Sequence, residues 1–261
     1  MTDALGVVVP AFRPDVDRLS AYVDALLQRL EPAALRIELD DPTGAVAEAL
    51  DSLPRPVEVS VSPYRRGKGA AITAGFETLA PEVEYLAFVD ADGSTPATQA
   101  ARVLQPLYDG DADLTAGSRR HPDSRVVSHQ TLARRRLGDA FAWAARRLLD
   151  AKLYDYQCGA KAITTTAWER VRPHLYEPGF AWDVELLGVA GALDVRVVEV
   201  PIEWEDAPNS TVDPVRTSLD LGRALFLVRH RAKRLDDSRL HGAIAAARDE
   251  TETALVDREP E

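Results

Sequence analysis

Short apolar runs alternate along the chain with longer segments in which apolar residues recur every three or four positions. Gly6-Val7-Val8-Val9 is almost wholly apolar and ends at Pro10, the pattern of a strand buried on both faces that stops where a loop begins. Over residues 15–30, Val16, Leu19, Val23, Leu26, Leu27 and Leu30 fall at helical spacing. The same alternation continues with strands expected at 35–39, 57–61 and 85–89 and helices at 45–53 and 69–79. Further along, 114–116 reads as a short strand, 132–149 as a long arginine-rich helix and 195–200 as a late strand. Strand alternating with helix at this spacing predicts an α/β fold, a Rossmann-like and mostly parallel sheet flanked by helices, whose ligands lie beyond the carboxyl ends of the strands. The acidic turns should then converge on one edge.

The C-terminal part changes character. Residues 216–235 combine Leu219, Leu221, Leu225, Phe226, Leu227 and Val228 with Arg223, Arg229, Arg231, Lys233 and Arg234, an amphipathic and basic helix. Such a helix suits a membrane interface, its leucines in the acyl boundary and its arginines among anionic headgroups, or equally a place packed on the domain. Three parts are expected: one α/β domain over 1–212, the amphipathic helix over 213–235, and a polar, mobile tail over 236–261.

Composition narrows the function. The 261 residues carry a net charge of −11, so the surface as a whole repels nucleic-acid phosphates and no nucleic-acid partner is expected. Lysine is rare and Asp, Arg and Ala abundant, a bias associated with salt-adapted organisms. Cys158 is the single cysteine, which excludes an internal disulfide and suits the reducing cytoplasm; with no base beside it in sequence, it reads as a small buried residue. No apolar run approaches the ~18 residues of a membrane span, so a soluble or peripheral protein is expected.

Against that background the acidic turns carry the chemistry. Asp90 and Asp92, one residue apart directly after the apolar strand 85–89, can reach a single Mg²⁺ or Mn²⁺, with water and a diphosphate completing the coordination. Asp40 and Asp41 end another strand, placed either to accept a hydrogen bond from a nucleobase edge or to cap the following helix. Arg65-Arg66-Gly67-Lys68-Gly69-Ala70 opens a helix with two glycines, which would let the backbone approach a phosphate or ribose, and its spacing is not that of a Walker A loop. Arg119 and the run Arg134-Arg135-Arg136 form a basic cluster that fits either phosphate binding or a solvated helix face.

Taken together these motifs resemble a family 2 glycosyltransferase of the GT-A fold, in particular the polyprenyl (dolichyl) phosphate glucosyl- and mannosyltransferases, in order across about 7–212. Val7 to Phe12 looks like the opening segment that contacts the nucleobase, which the resemblance assigns to Pro10 and Phe12 beside Asp40, Asp41, Lys68, Gly69 and Ala91. Asp90-Ala91-Asp92-Gly93-Ser94-Thr95 is similar to the metal turn of the glucosyltransferases, with Asp90, Asp92 and Ser94 as ligands, and favours a UDP-hexose over GDP-mannose as donor. The resemblance further implies that Arg119 and Arg134 or Arg135 hold the acceptor phosphate. It places Gln157, Lys161 and Glu185 near the donor sugar and makes Asp183 a catalytic group that orients hydroxyls or acts as base, with salt bridges at a helix start the other reading of Glu185. Arg13-Pro14-Asp15 and Pro42-Thr43 depart from the family's usual Asn-Glu and Gly-Ser.

The expected activity is inverting, metal-dependent transfer of a hexose from a nucleotide sugar to a polyprenyl phosphate at the cytoplasmic face of a membrane. A soluble glycosyltransferase with a small or saccharide acceptor, and a non-catalytic module that binds sugar nucleotides, are the alternatives.

Overall fold

The computed structural model describes residues 4–51, 53–126, 132–204, 214–235 and 252–258; the side chains of 51, 132–135 and 214–220 lie outside that description. A seven-stranded sheet has the order β3-β2-β1-β4-β7-β5-β8. Its strands are β1 (Leu5–Phe12), β2 (Ala34–Asp40), β3 (Val57–Ser62), β4 (Tyr85–Val89), β5 (Leu114–Ser118), β7 (Ala160–Thr164) and β8 (Val197–Pro201). A two-residue pair, β6 (Arg125–Val126) and β9 (Glu203–Trp204), lies beside it.

Why the strands read as unbroken apolar runs is plain from their two faces. Val7 and Val9 enter one core with Leu35, Ile37, Ala87 and Val89, while Val8 enters the other with Leu86, Phe88, Leu114 and Ala116. Each face is covered: α1 (Val16–Leu30) and α4 (Ala97–Tyr108) on the first, α3 (Lys68–Leu79), α7 (Trp182–Ala192) and α8 (Pro214–Leu235) on the second. The short α2 (Gly44–Asp51), α5 (Leu132–Leu148) and α6 (Thr165–Val171) complete the helices described. Asp15 caps α1 by accepting from Arg18 N at 3.1 Å, and Thr164 caps α6 in the same way from Ala167 N.

β7 runs antiparallel between β4 and β5, whereas every other described neighbour in the main sheet is parallel. Because β7 opposes both, β4 and β5 point the same way, and the carboxyl ends of β1, β2, β3, β4, β5 and β8 share one rim. The register Val89↔Ala160 then brings the residues before β7 against the end of β4.

At the C-terminal end, α8 takes one of the two places its sequence left open, packed on the domain. Leu221, Leu225 and Val228 of α8 are buried in the domain core with α7 and α5, so these leucines face protein, not an acyl boundary. The start of the helix and most of the tail lie outside the described residues. Within the tail, residues 252–258 are held in place: Leu255 is buried, its N–H donates to Leu175 O at 2.8 Å, and Glu252 pairs with Arg231 at 2.7 Å. This stretch is docked because Leu255 adds to the core and Arg231 offers it a charge partner. No helix among the described residues is long and apolar enough to cross a membrane.

Candidate active site

The shared rim gathers the residues singled out in the sequence. Phe12 ends β1 opposite Asp40 of β2, and both lie beside the turn before α3. Phe12 is partly exposed, with the Arg65 guanidinium 4.2 Å and that of Arg13 5.0 Å from its ring centre. Asp41, left-handed at φ 45°, is exposed and lies 3.8 Å from Arg13. Pro10 is part-buried within β1.

Asp40 is used internally. It is buried, accepting Arg66 Nε at 2.8 Å and Gly67 N at 2.9 Å, so it fixes the turn into α3. The glycines of that turn also serve packing. A Cβ on Gly67 would lie 2.5 Å from Pro178 O, and one on Gly69 2.5 Å from both Glu177 O and the Trp182 Cβ. Ala70 N donates to Pro178 O at 3.0 Å, so one of the N–H groups left free at the start of α3 is met by the 175–178 loop.

At the end of β4 the turn Asp90–Thr95 stands on the rim. Asp92 is exposed; its Oδ1 accepts Ser94 N at 2.9 Å, which folds the carboxylate back over its own turn. Gly93 takes φ 63° over the ring of Tyr22, and Tyr22 Oη donates to Thr95 O at 2.6 Å. Ala91 is part-buried between the two carboxylates. Ser94 Oγ is buried and has no hydrogen-bond partner among the described residues. An orphaned hydroxyl in the same turn as two carboxylates offers hard oxygen donors, which fits Mg²⁺ or Mn²⁺. Among the described residues no group of three or more His, Cys, Asp or Glu is placed to hold a metal. Asp90, Asp92 and Ser94 would thus hold such an ion through only part of its coordination shell, leaving positions for a substrate diphosphate.

Behind the turn runs a buried ladder of charge. Asp90 Oδ1 lies 2.8 Å from Lys68 Nζ, Lys68 reaches Asp183 Oδ2 at 2.9 Å, and Asp183 Oδ1 meets Lys161 Nζ at 2.6 Å. Lys161 Nζ ends the ladder on Cys158 O at 2.8 Å. Burial works against the Lys68 ammonium, but Asp183 and Asp90 outweigh it and hold its pKa above the usual lysine range. Burial likewise opposes ionisation of Asp183, and Lys161 with Lys68 overcomes it and lowers its pKa. Asp183 is 2 % exposed with both oxygens engaged by the two lysines, and Lys161 is equally buried. Gly159 lies so close to Asp90 that a Cβ there would run into the carboxylate. Asp90 N also donates to Gly159 O at 2.9 Å.

The basic residues are similarly engaged. Arg119 gives Nε and Nη2 to the two oxygens of Asp155 at 2.7 and 3.0 Å and stacks over Trp204. That fork, expected to hold an acceptor phosphate, is filled by Asp155, which also receives Gln157 N at 3.0 Å and so shapes the 155–159 turn. Gln157 itself is part-buried beside Cys158, whose thiol burial pushes up to about 12, in keeping with an unreactive core position. Arg134 and Arg135 have side chains outside the described residues, and Arg136 is exposed.

Glu185 belongs elsewhere. It is fully buried, takes Tyr176 N at 2.7 Å and Glu177 N at 2.8 Å on Oε2, and pairs through Oε1 with Arg231 at 2.5 Å. It thus makes the salt bridge at a helix start that is the other reading of this residue. Tyr22 escaped the sequence reading, although it shares the helical spacing of Leu19, Val23 and Leu26; the buried face of α1 carries it under the Asp90–Thr95 turn.

A three-layer α/β/α domain with an acidic turn at the end of its fourth strand defines the GT-A class of glycosyltransferases. The Glycosyl transferase family 2 model matches residues 7–159, and the chain belongs to that family. It is similar to a dolichyl-phosphate beta-glucosyltransferase of Dictyostelium discoideum, 27 % identical over 87 % of this chain and 74 % of that protein. The human dolichyl-phosphate beta-glucosyltransferase is 28 % identical over 91 % of this chain and 80 % of its own length. Glycosyltransferase AglD of Haloferax volcanii is 28 % identical over 85 % of this chain, which spans 36 % of that longer protein. Among solved structures, glucosyl-3-phosphoglycerate synthase of Mycobacterium tuberculosis, in complex with Mn²⁺, UDP-glucose and phosphoglyceric acid, superposes with a TM-score of 0.66. At 15 % identity, over 87 % of this chain and 80 % of that one, the match bears on the fold alone.

Proposed function

We propose that this glycosyltransferase moves a hexose, glucose in preference to mannose, from a uridine diphosphate sugar to a polyprenyl (dolichyl) phosphate, with inversion at the anomeric carbon. The observation that carries the reading is the turn at the end of β4, a single short turn on the rim that carries Asp90, the exposed Asp92 and the partnerless Ser94 hydroxyl. A divalent cation held there, Mn²⁺ or Mg²⁺, would supply charge stabilisation for the departing nucleoside diphosphate. The curated relatives named as dolichyl-phosphate glucosyltransferases support the lipid acceptor and the sugar, and the fold neighbour bound to UDP-glucose and Mn²⁺ supports the donor and metal.

The chain's own groups divide the work. Phe12, Asp41 and Arg65 at the ends of β1, β2 and the α3 turn form the surface for the base. Lys68, clamped by Asp183, holds Asp90 and presents positive charge beside the place the diphosphate would occupy. An oxygen of the lipid phosphate attacks the anomeric carbon as the bond from that carbon to the nucleoside diphosphate breaks, its electrons leaving with the diphosphate. A phosphate is already ionised near pH 7, so no proton needs removing and alignment matters most. This agrees with Asp183 being locked away as a salt-bridge partner. Arg134 and Arg135, at the start of α5, are the groups assigned to the acceptor phosphate.

The test offers UDP-glucose, UDP-galactose and GDP-mannose, each with Mn²⁺ and polyprenyl phosphate, and measures the nucleotide released and the labelled lipid formed. UDP release with glucosyl lipid is expected, and Asp92→Ala should lower the rate by roughly 100-fold or more. Sugar transfer to phosphoglycerate but to no lipid phosphate would defeat the acceptor assignment.

A further inference from the structure

α5 and α8 stand apart from the rest of an acidic protein. Between them they carry eleven arginines and lysines against two aspartates, in a chain whose net charge is −11. They are neighbours: Arg229 donates to Leu148 O at 2.7 Å, and Lys233 pairs with Asp150 at 3.0 Å. Both also expose apolar side chains that the core leaves uncovered. Trp143 is 68 % and Phe226 65 % exposed, with Leu137 and Leu227 partly so.

These residues fall in stripes. On α5, Arg136, Ala140, Trp143 and Arg147 recur at intervals of four, three and four and are all exposed. On α8, Arg223, Phe226 and Leu227 share the side opposite buried Leu221, Leu225 and Val228. Arg136, Arg147 and Arg223 form no ion pair among the described residues. Large aromatics flanked by unpaired arginines suit a surface whose interior is apolar and whose headgroups are anionic. A second copy of an acidic protein would bring its own basic helices face to face with these, which like-charge repulsion opposes.

We propose that the exposed stripes of α5 and α8 dock the protein on an anionic lipid surface, with Trp143 and Phe226 inserted at the headgroup boundary. This rests on the lipid-phosphate reading above and differs from an interfacial α8 working through Leu221 and Leu225, which the core has taken. The placement serves the site. Arg120, the neighbour of Arg119 at the end of β5, pairs with Asp139 of α5, and its guanidinium fills the space where a Gly138 side chain would stand. The docking helix is thus tied to the rim.

Trp143 makes the test direct, because the other three tryptophans are 0 %, 0 % and 7 % exposed. Full-length protein is mixed with vesicles of phosphatidylcholine alone or with phosphatidylglycerol, and tryptophan emission and co-flotation are followed. Expected are a blue shift and flotation with anionic vesicles, both weakened by salt. Arg147→Gln with Arg223→Gln should lower partitioning roughly thirtyfold, and Trp143→Ala with Phe226→Ala should remove it. All these variants should still glycosylate a short, detergent-dispersed polyprenyl phosphate at the wild-type rate. Vesicle binding unchanged in both double variants, no binding by wild type, or concentration-dependent dimerisation that buries Trp143 without vesicles would overturn the proposal. Binding without transfer to any lipid phosphate would instead defeat the acceptor reading and leave the docking surface standing.

Discussion

Gly159 shows how tightly the rim constrains its carboxylates. Since any side chain there would displace Asp90, Gly159→Ala should lose most metal-dependent turnover while keeping its circular-dichroism spectrum; a variant of near wild-type activity would show that the position of Asp90 is immaterial. Asp155 makes a different prediction. Burial raises its pKa, but Arg119 and Arg120 outweigh burial and hold it well below the usual carboxylate range. Near pH 4 the unfolded chain therefore binds more protons here than the native one, so this group contributes stability above about pH 4 that is lost as pH falls further. Urea unfolding at about pH 5 and pH 3 should reveal a smaller drop in Asp155→Asn than in the wild type; equal drops would exclude Asp155 as a source of acid lability. The carboxylates themselves were legible in the sequence, because a pair of aspartates after an apolar strand has few other reasons to be there. Their partners were not, since Lys68, Lys161 and Asp183 come from distant segments and only the closed fold shows that they satisfy one another.

Among the elements, α3 matters most, because its first turn carries Lys68 to Asp90. Pro178 O and Asp40 close that turn, and the 175–178 loop is in turn fixed by Glu185, Arg231 and residues 252–258. Arg231 joins Glu177, Glu185 and Glu252 and lies 4.8 Å over the Tyr176 ring. Replacing it strands a buried carboxylate, which costs about 3–5 kcal/mol when that carboxylate is charged. Burial pushes Glu185 up to about 7, so its ionisation already lowers stability as pH rises from its unfolded value towards 7. Arg231→Leu should accordingly be more destabilised at pH 8 than at pH 6, and amide exchange at Ala70 and Tyr176 should quicken roughly tenfold while that of Leu35 does not. A pH-independent loss would contradict this arrangement. The strands and amphipathic helices could be read from periodicity. α7 could not, for Trp182 to Ala190 are buried on all sides and leave no polar face to mark the period. β7 was hidden by Lys161, a charge within a buried strand that only Asp183 makes tolerable.

The molecule as a whole separates its charges: acidic over most of its surface, basic on α5 and α8. The mostly parallel sheet brings the ends of six strands to one rim, and this placement, which the strand–helix alternation foretold, is what turns scattered turns into one site. The measurement that bears most directly on the site is manganese electron paramagnetic resonance, which follows free Mn²⁺ as protein is added in the presence of UDP. One bound ion per chain is predicted, with binding abolished by Asp92→Asn and weakened by Ser94→Ala. Binding that persists unchanged in Asp92→Asn, or none in the wild type, would contradict a cation held at the end of β4.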